Sequence, residues 1–342
     1  MIIRSKAPLR IGLAGGGTDV SPYADTFGGS ILNATINMHA HATIIPLDNN
    51  KIELETFDLG LCEELDSSEQ LVIDETLPLL KGVYNRIVRD FNTGALSFRL
   101  STSVDAPPGS GLGSSSTLVV AVIGAFVEWL KLPLGEYDIA HLAYEIERVD
   151  LALAGGRQDQ YAATFGGFNF MEFYKDDKVI VNPLRIKRKY AVELEHNLVL
   201  FYTGTSRESA RIIEKQTQNI KESNTDAIEA THKLKEQSVR MKEALLKGNV
   251  DSIGEILHYG WEWKKKMASG ISNPEIDQLY ELAMKSGATG GKISGAGGGG
   301  FFFFYCPANT RHELIAKLAE QGMHHQPYLF TLQGLYTYTV KD

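Results

Sequence analysis

The sequence predicts an α+β protein with two domains, the first rich in strands and the second rich in helices. A chain of 342 residues is long enough for about two domains of ~150 residues, each with its own core. Short segments of strand-like alternation are concentrated before residue 105, whereas residues 207–247 carry helical spacing. Between Asp176 and Lys189 the composition shifts to Lys, Arg and Asp around Pro183, which places the predicted domains at residues 1–180 and 181–342.

In the first half, strands and helices are predicted to surround a central glycine-rich segment. Apolar runs and alternating patterns predict strands over residues 2–5, 9–13, 30–47, 51–56 and 96–104. Apolar residues at helical spacing predict helices over residues 77–91, 116–130 and 137–153. A short segment that holds Asp159 then leads to a hydrophobic strand over residues 168–173.

The second half opens with an apolar strand over residues 197–202. A long polar helical region follows over residues 207–247, with a break near Ser223, Asn224 and Thr225, and two or three further helices are expected before Lys292. The run from Phe301 to Cys306 is predicted to be a buried strand, because its aromatic residues are consecutive rather than alternating.

Composition excludes several classes of protein. There are 34 Lys and Arg against 42 Asp and Glu, a net charge of −8 without a dense basic block, so neither nucleic acid nor an anionic membrane is an expected partner. Cys62 and Cys306 match no metal-binding spacing, which is typical of a reduced compartment. The longest uncharged apolar stretch, residues 118–127, is about half the ~20 residues that span a bilayer. Since the opening residues also lack a signal-peptide pattern, we expect a cytoplasmic protein.

The sequence contains 33 glycines, and three clusters of them stand out, at residues 12–17, 109–113 and 287–300. The central cluster lies between a predicted strand and a predicted helix, where unpaired N–H groups and the positive end of the helix dipole favour an anion. Helix-capping serines in a tight turn would account for Ser114 or Ser116 alone. They would not account for three alternate glycines followed by three serines, so we interpret the segment as a phosphate-binding loop.

Two common phosphate loops do not match this segment. A Walker A loop requires a lysine that is absent here. A dinucleotide-binding loop requires an acidic residue ~20 positions further on, at the end of the next strand, whereas Glu128 falls inside the predicted helix. An NAD-dependent dehydrogenase is therefore not favoured.

The three glycine clusters resemble the three motifs of the GHMP kinases, the family of galactokinase, homoserine kinase, mevalonate kinase and phosphomevalonate kinase. Residues 8–19, 107–116 and 292–300 match these motifs in order over essentially the full chain. The resemblance implies a two-domain α+β fold with the active site in the cleft between the domains. It also implies that ATP and Mg²⁺ are used, and that ATP contacts Pro108, Gly109, Ser110, Gly111, Leu112, Gly113, Ser114, Ser115 and Ser116.

The resemblance also implies roles for single residues. Asp159 lies at the position of the catalytic aspartate, and Arg10 at the position of a cation that helps to activate the acceptor hydroxyl. Ser115 and Glu147 match the magnesium-binding residues. The segment from Glu147 to Asp159 is about one residue longer than in mevalonate kinase, which leaves Glu145 as a second candidate. Asp159 would accept the proton of the attacking hydroxyl while Arg10 polarises that hydroxyl.

The string from Gly15 to Asp19 indicates the acceptor. Sugar-1-kinases carry a Thr–Asp pair at this distance from the cation, and a carboxylate that accepts two hydroxyl hydrogen bonds is a selective contact for a polyol. Residues 3–37 resemble most the bacterial D-glycero-D-manno-heptose 7-phosphate kinases, which phosphorylate the anomeric hydroxyl. The resemblance therefore implies a small-molecule sugar phosphate as partner, and predicts substrate contacts from Gly16, Gly17, Thr18, Asp19, Arg157, Arg207, Gly297 and Gly298.

Several alternatives stay open at this point. L-fucokinase shares a similar glycine string, and another sugar-1-kinase or a non-catalytic sensor of sugar and ATP would have related motifs. Among the cations for the far phosphate, Arg207 follows a Gly–Thr–Ser turn and is the first choice, with Arg157 and Arg211 as further candidates. His39 and His41 alternate on a predicted strand without a third metal ligand nearby in sequence, and we expect them to be surface or pocket-lining residues.

Overall fold

A computed structural model describes residues 1–204 and 209–341. Its larger sheet has eight strands. These strands are β1 (Ile2–Ala14), β2 (Gly29–Pro46), β3 (Lys51–Thr56), β4 (Leu61–Asp66), β5 (Phe98–Val104), β6 (Phe168–Phe173), β7 (Val179–Pro183) and β12 (Tyr336–Val340). The order β12-β1-β2-β5-β3-β4 is antiparallel except where β3 runs parallel to β5.

Strand β2 is long enough to serve two neighbours on one of its edges. Its first part, Gly29 to Ala34, pairs with β6, which pairs in turn with β7. Its second part, Ala40 to Pro46, pairs with β5. Strand β12 comes from the end of the chain and lies antiparallel to β1. The last residues of the second half thus belong to the sheet of the first half.

Helices of the first half cover one face of this sheet. They are α1 (Tyr23–Phe27), α2 (Pro78–Phe91), α3 (Ser114–Leu130), α4 (Glu136–Glu145) and α5 (Gln158–Phe165). A run of small and branched apolar residues makes α3 almost wholly buried, and it packs against β1 and β2 through residues such as Val119, Ile123 and Phe126. Ala40, Ala42 and Ile44 of β2 lie in the same core.

The second half contains a smaller antiparallel sheet in the order β11-β8-β10-β9. Its strands are β8 (Leu198–Tyr202), β9 (Gly290–Ile293), β10 (Phe301–Tyr305) and β11 (His324–His325). The helices are α6 (Arg188–Asn197), α7 (Ser209–Lys221), α8 (Thr225–Lys247), α9 (Ile253–Lys264), α10 (Pro274–Lys285) and α11 (Arg311–Ala319). Leu9, Ile11 and Leu13 of β1 share a core cluster with Leu245, Phe301 and Phe303. This shared core packs the two sheets together and fixes the cleft between them.

Most predicted elements are present. The break near Ser223 separates α7 from α8, and all five residues of β10 are buried. The prediction of a single helix over residues 137–153 is wrong for the residues after Glu145, where α4 ends. The chain there forms a π-helical turn over Ile146–Asp150, whose Leu151 N–H donates to the Ile146 carbonyl. The short segment that holds Asp159 forms the first turn of α5.

The division at residues 180 and 181 stays a prediction. The α+β class, with a strand-rich first half and a helix-rich second half, is confirmed. In the described part of the chain, every helix is too short or too polar to cross a membrane.

Candidate active site

The central glycine loop joins β5 to α3 and faces the cleft. Gly109, Gly111 and Gly113 have φ angles of 71°, 85° and 79°, in the left-handed region that glycine adopts at low cost. Among the residues that the structure describes, no side chain caps the start of α3, so the first-turn N–H groups of Ser114 to Ser116 are available to an anion. A Cβ added at Gly113 would lie 3.1 Å from Cγ of Asp159. The anion site therefore adjoins the predicted catalytic carboxylate.

Arg10 and Asp159 form a close ion pair at this point. Nε and Nη2 of Arg10 lie 2.7 and 2.6 Å from Oδ1 of Asp159. Nη1 of Arg10 donates to the Gly111 carbonyl at 2.6 Å, and Oγ of Ser294 donates to the same carbonyl at 2.8 Å. The Arg10 side chain is 4% exposed and that of Asp159 is 22% exposed. The guanidinium is thus held inside, while the carboxylate reaches the cleft.

Asp19, between β1 and α1, is a buried carboxylate that faces the start of α5. Its Oδ2 accepts the backbone N–H groups of Arg157 at 2.8 Å and Gln158 at 3.1 Å, where the helix dipole favours negative charge. Burial raises the pKa of Asp19, and the neighbouring charge of Asp159 raises it further. Two carboxylates therefore face one cleft, Asp19 from the segment between β1 and α1 and Asp159 from the first turn of α5.

Glu147 is a second buried carboxylate, and the π-helical turn holds it in the cleft. It accepts hydrogen bonds from Oγ of Ser116 at 3.0 Å and from Nε2 of Gln160 at 2.5 Å. Burial raises its pKa, and Arg148, with Nη1 at 3.8 Å, opposes that effect. Ser115 lines the cleft with an exposed side chain. The alternative candidate, Glu145, instead pairs with Arg86 at 2.5 Å.

Lys264 is a buried cation in the cleft that the motifs did not indicate. It lies at the end of α9, is 2% exposed, and donates from Nζ to the Gly295 carbonyl at 2.7 Å. Burial lowers its pKa to about 8, although the charge of Asp19 acts in the opposite direction. Lys292 lies nearby and donates to the Gly12 carbonyl at 3.0 Å. Burial, Lys264 and Arg10 together hold the pKa of Lys292 well below its usual value.

These groups line one cavity of about 290 Å³ between the halves of the chain. The cavity is bounded by the central loop, the start of α3, the first motif, the segment before α5, and residues of α7 and α9. The lining residues discussed above are Arg10, Asp19, Gly109, Gly111, Gly113, Ser114, Ser115, Ser116, Glu147, Asp159, Lys264 and Gly295. The structure therefore brings together the predicted catalytic pair, anion loop, magnesium residues and sugar carboxylate.

Other residues of the central loop are used within the fold. Leu112 is buried, and its carbonyl accepts the N–H of Arg10 at 3.1 Å. Ser110 is buried as well, and its carbonyl accepts the N–H of Phe301 at 2.8 Å. Pro108 is exposed at the tip of the same loop. Their predicted contacts with ATP stay predictions.

Predicted substrate residues in the first and third motifs differ in their surroundings. Gly17 lines the cavity, and Gly16 lies beside Lys264 and Lys292, because a Cβ there would be 3.5 and 3.7 Å from their Nζ atoms. Thr18 is buried and exchanges hydrogen bonds with the backbone of Ser30. In the third motif, the N–H of Gly298 donates to the Ile271 carbonyl, and Gly297 packs against the same residue.

The predicted phosphate-binding arginines are only partly described. Arg157 is 3% exposed, and its guanidinium contacts Asp25 at 2.8 Å and Asp177 at 2.9 Å as well as the carbonyl of Tyr174. It lines a second cavity that adjoins the first. Arg207 lies outside the described residues. The involvement of both residues in substrate binding stays a prediction.

Comparison with known proteins identifies the family. Residues 78–167 match the GHMP kinases N terminal domain and residues 241–324 match the GHMP kinases C terminal domain. The chain is 48% identical over 338 residues to a D-glycero-alpha-D-manno-heptose 7-phosphate kinase of Campylobacter jejuni, with 99% of each chain covered. It belongs to the GHMP kinase family. The prediction of an ATP-dependent kinase is thereby confirmed.

Two further relatives of this GHMP kinase are informative. A crystal structure of a D-glycero-D-manno-heptose 1-phosphate kinase from Bacteroides thetaiotaomicron is 45% identical and superimposes with a TM-score of 0.85, covering 99% of this chain and 100% of the other. The L-fucokinase/L-fucose-1-P guanylyltransferase of Bacteroides fragilis is 24% identical over 332 residues, which covers 86% of this chain but 34% of that protein.

Proposed function

We propose that this kinase transfers the γ-phosphoryl group of ATP to the anomeric hydroxyl of D-glycero-D-manno-heptose 7-phosphate. The products would be the 1,7-bisphosphate and ADP, a step toward nucleotide-activated heptose. The observation that carries this proposal is a single cavity that holds the Arg10–Asp159 pair, the start of α3 and the buried carboxylate of Asp19. The whole-chain similarity to heptose phosphate kinases supports the choice of acceptor.

In this mechanism Asp159 accepts the proton as the anomeric oxygen attacks the γ-phosphorus and the bond from that phosphorus to the bridging β-oxygen breaks. Arg10 lies at 2.6 Å from Asp159 and orients that carboxylate. Because phosphoryl transfer depends mainly on positioning and charge stabilisation, the N–H groups at the start of α3 would hold the phosphates. Lys264, the buried ammonium in the same cavity, would stabilise negative charge on the transferred group.

Asp19 would select the sugar. Both backbone hydrogen bonds from α5 end on Oδ2, so Oδ1 is the oxygen that two sugar hydroxyls would reach. A carboxylate fixed in this way discriminates between hydroxyl arrangements, because a poorly placed hydroxyl leaves a buried acceptor unpaired.

The residues around Glu147 fit a magnesium ion. The Glu147 carboxylate is buried, and Nη1 of Arg148 lies 3.8 Å from it. Together with the hydroxyls of Ser115 and Ser116 it forms an all-oxygen donor set beside the anion loop, as Mg²⁺ requires. When bound, Mg²⁺ would neutralise charge on the β- and γ-phosphate oxygens of ATP.

The far phosphate of the substrate would lie in the second cavity. This cavity shares Asp19, Arg148 and Leu153 with the first and extends to Lys221 on α7. A sugar whose anomeric carbon faces Asp159 would pass Asp19 and place its other end there. We propose that Arg148 and Lys221 contact the 7-phosphate, in addition to Arg157 and Arg207. Arg148 donates to the Leu153 and Gly156 carbonyls at 3.4 and 3.3 Å, which orients its guanidinium.

The experiment is ADP release by the purified protein with Mg²⁺-ATP. The acceptors compared are the heptose 7-phosphate, the heptose 1-phosphate, L-fucose, D-galactose and mevalonate, with phosphorus NMR of the product. We expect turnover on the 7-phosphate and a new anomeric phosphate signal. Turnover on the 1-phosphate, or on L-fucose as in the alternative noted above, would refute the proposed acceptor. Binding of ATP without any turnover would favour the sensor.

The proposed phosphate end can be tested separately. Lys221→Ala should raise KM for the heptose 7-phosphate about tenfold, since a single charge-assisted contact contributes roughly 1.5 kcal/mol. The KM for ATP should stay unchanged. Lys215→Ala is the matched control, because Lys215 is an exposed residue of the same helix outside the second cavity. Equal effects of the two substitutions would exclude Lys221 from the phosphate site.

A further inference from the structure

Strands β2 and β5 bring two imidazoles and a carboxylate together on the sheet surface. His39 and His41 alternate on β2 and therefore point to the same face, with ring centroids 5.8 Å apart. Asp105 directly follows β5, whose last residue, Val104, pairs with Ala40 of β2. One ligand atom from each of the three residues lies within 4.8 Å of the others, and His41 Nε2 is 4.0 Å from Asp105 Oδ2. The sequence suggested no third ligand because Asp105 is adjacent only through strand pairing.

The backbone fixes the carboxylate in this position. The N–H of Asp105 donates to the His39 carbonyl at 2.9 Å, and the N–H of His39 donates back to Oδ2 of Asp105 at 2.8 Å. These two bonds extend the pairing of β2 and β5 by one residue. They hold the carboxylate beside the imidazoles before any ligand arrives, which lowers the ordering cost of binding.

Two nitrogen donors and one oxygen donor form a set that suits zinc and similar ions. Zn²⁺ accepts His nitrogen and Asp oxygen at ~2.0–2.2 Å, and a three-residue site leaves a fourth position for water. Donor atoms around such an ion lie roughly 3.4 Å apart, so moderate side-chain rotations would close the present spacing. The side chains of His41 and Asp105 are 45% and 46% exposed, which gives an ion direct access from solvent.

We propose that His39, His41 and Asp105 form a binding site for a divalent transition-metal ion, with Zn²⁺ as its representative. This site is separate from the all-oxygen set around Glu147, and it does not depend on the proposed acceptor. It lies at the exit of β5, immediately before the segment that leads to Gly109. A bound ion would join the start of the phosphate loop to β2.

The positive charge of Lys6, next to the proposed site, provides a further test of metal binding. Lys6 lies opposite His41 in the pairing of β1 with β2. The pKa of His39 is lowered by burial and by the charges of Lys6 and His41, while Asp105 acts in the opposite direction. The Lys6 ammonium would repel a metal cation at the same position, so its removal should tighten metal binding.

The test is titration of the full-length, chelator-treated protein with Zn²⁺, in competition with a chromophoric zinc indicator and without nucleotide or sugar. We expect each chain to bind one Zn²⁺ ion, and we expect this binding to require His39, His41 and Asp105. Asp105→Asn and His41→Asn should each weaken binding by about tenfold or more, since even outer-shell changes have effects of this size. Lys6→Met should strengthen it. The control is His141→Asn, because His141 lies 3.7 Å from Glu145 in a two-residue pair elsewhere on the surface.

Cobalt gives an independent readout. Co²⁺ bound at this site should show the visible absorption of a four-coordinate ion, and His39→Asn should abolish it while circular dichroism confirms the fold. Equal Zn²⁺ affinity in the wild type and the Asp105 and His41 variants would overturn the proposal. So would an octahedral Co²⁺ spectrum that is insensitive to His39.

Discussion

Lys264→Met tests the buried cation of the cleft in both stability and catalysis. Lys264 is fully buried, and its pKa is about 8 where an ordinary lysine has 10.5. Between these two values the folded state has lost a proton that the unfolded state retains. The free energy of unfolding therefore rises with pH across this window, by about 3 kcal/mol in total at ~1.36 kcal/mol per pH unit. Below pH 8 both states are protonated and this contribution is constant.

Lys264→Met removes this pH dependence. The unfolding free energy of the wild type relative to the variant should increase by about 2 kcal/mol between pH 8 and pH 9.5. Lys292 changes the result in the same direction, because its own pKa is lowered partly by Lys264. Urea unfolding at pH 7.0, 8.5 and 9.5 measures the difference. Lys285→Met is the control for an exposed lysine, and its difference from wild type should not change with pH in this way.

The same variant tests the proposed role of the charge in catalysis. If the Lys264 ammonium stabilises the transferred phosphoryl group, kcat/KM should fall above pH 8 as the amine loses its proton. Lys264→Met should lower kcat by about 10²-fold, a typical effect of removing one electrostatic donor. Its pH profile should lack the fall near pH 8. A variant that keeps this fall, or that keeps wild-type kcat, would refute the assignment, and a flat stability difference would refute the lowered pKa.

Three further predictions concern the carboxylates. Asp159→Asn should lower kcat by about 10²- to 10⁴-fold if Asp159 is the general base, whereas ATP affinity measured by calorimetry should be retained; near-normal turnover would exclude that role. Asp19→Ala should raise KM for the sugar more than KM for ATP in steady-state assays, and the reverse pattern would contradict its placement. Glu147→Gln should increase the Mg²⁺ concentration needed for half-maximal rate by about tenfold or more, and an unchanged requirement would exclude Glu147 as a ligand.

The motifs of the site could be predicted from the sequence, but much of the geometry of the site could not. The glycine loop and the carboxylates could be recognised because their residue types and order are specific. The π-helical turn could not, since the residues from Ile146 to Asp150 have ordinary helical character. This turn places Glu147 rather than Glu145 in the cleft.

The position of Lys264 in the cleft could not be predicted from the sequence, for a different reason. It is the first of three consecutive lysines, Lys264 to Lys266, and such a run is typical of a solvated helix end. Only tertiary packing distinguishes it, because α9 ends against the third glycine cluster and buries the first lysine while Lys266 stays exposed. Asp105 is a similar case, since its relation to His39 arises from strand pairing across 66 residues of sequence.

The negative net charge of the whole chain does not indicate that its cleft contains several basic side chains. Although the whole protein carries −8, the charge of Arg10 lowers the pKa of both Lys264 and Lys292, and the charge of Lys264 lowers the pKa of Lys292 further. Such mutual repulsion is unfavourable without a ligand and is relieved when an anion enters. The Gly111 carbonyl, which accepts from both Arg10 and Ser294, holds the three motifs at this point. The three glycine clusters are therefore required together, because their backbones must approach closely enough to bring fixed cations around one phosphoryl group.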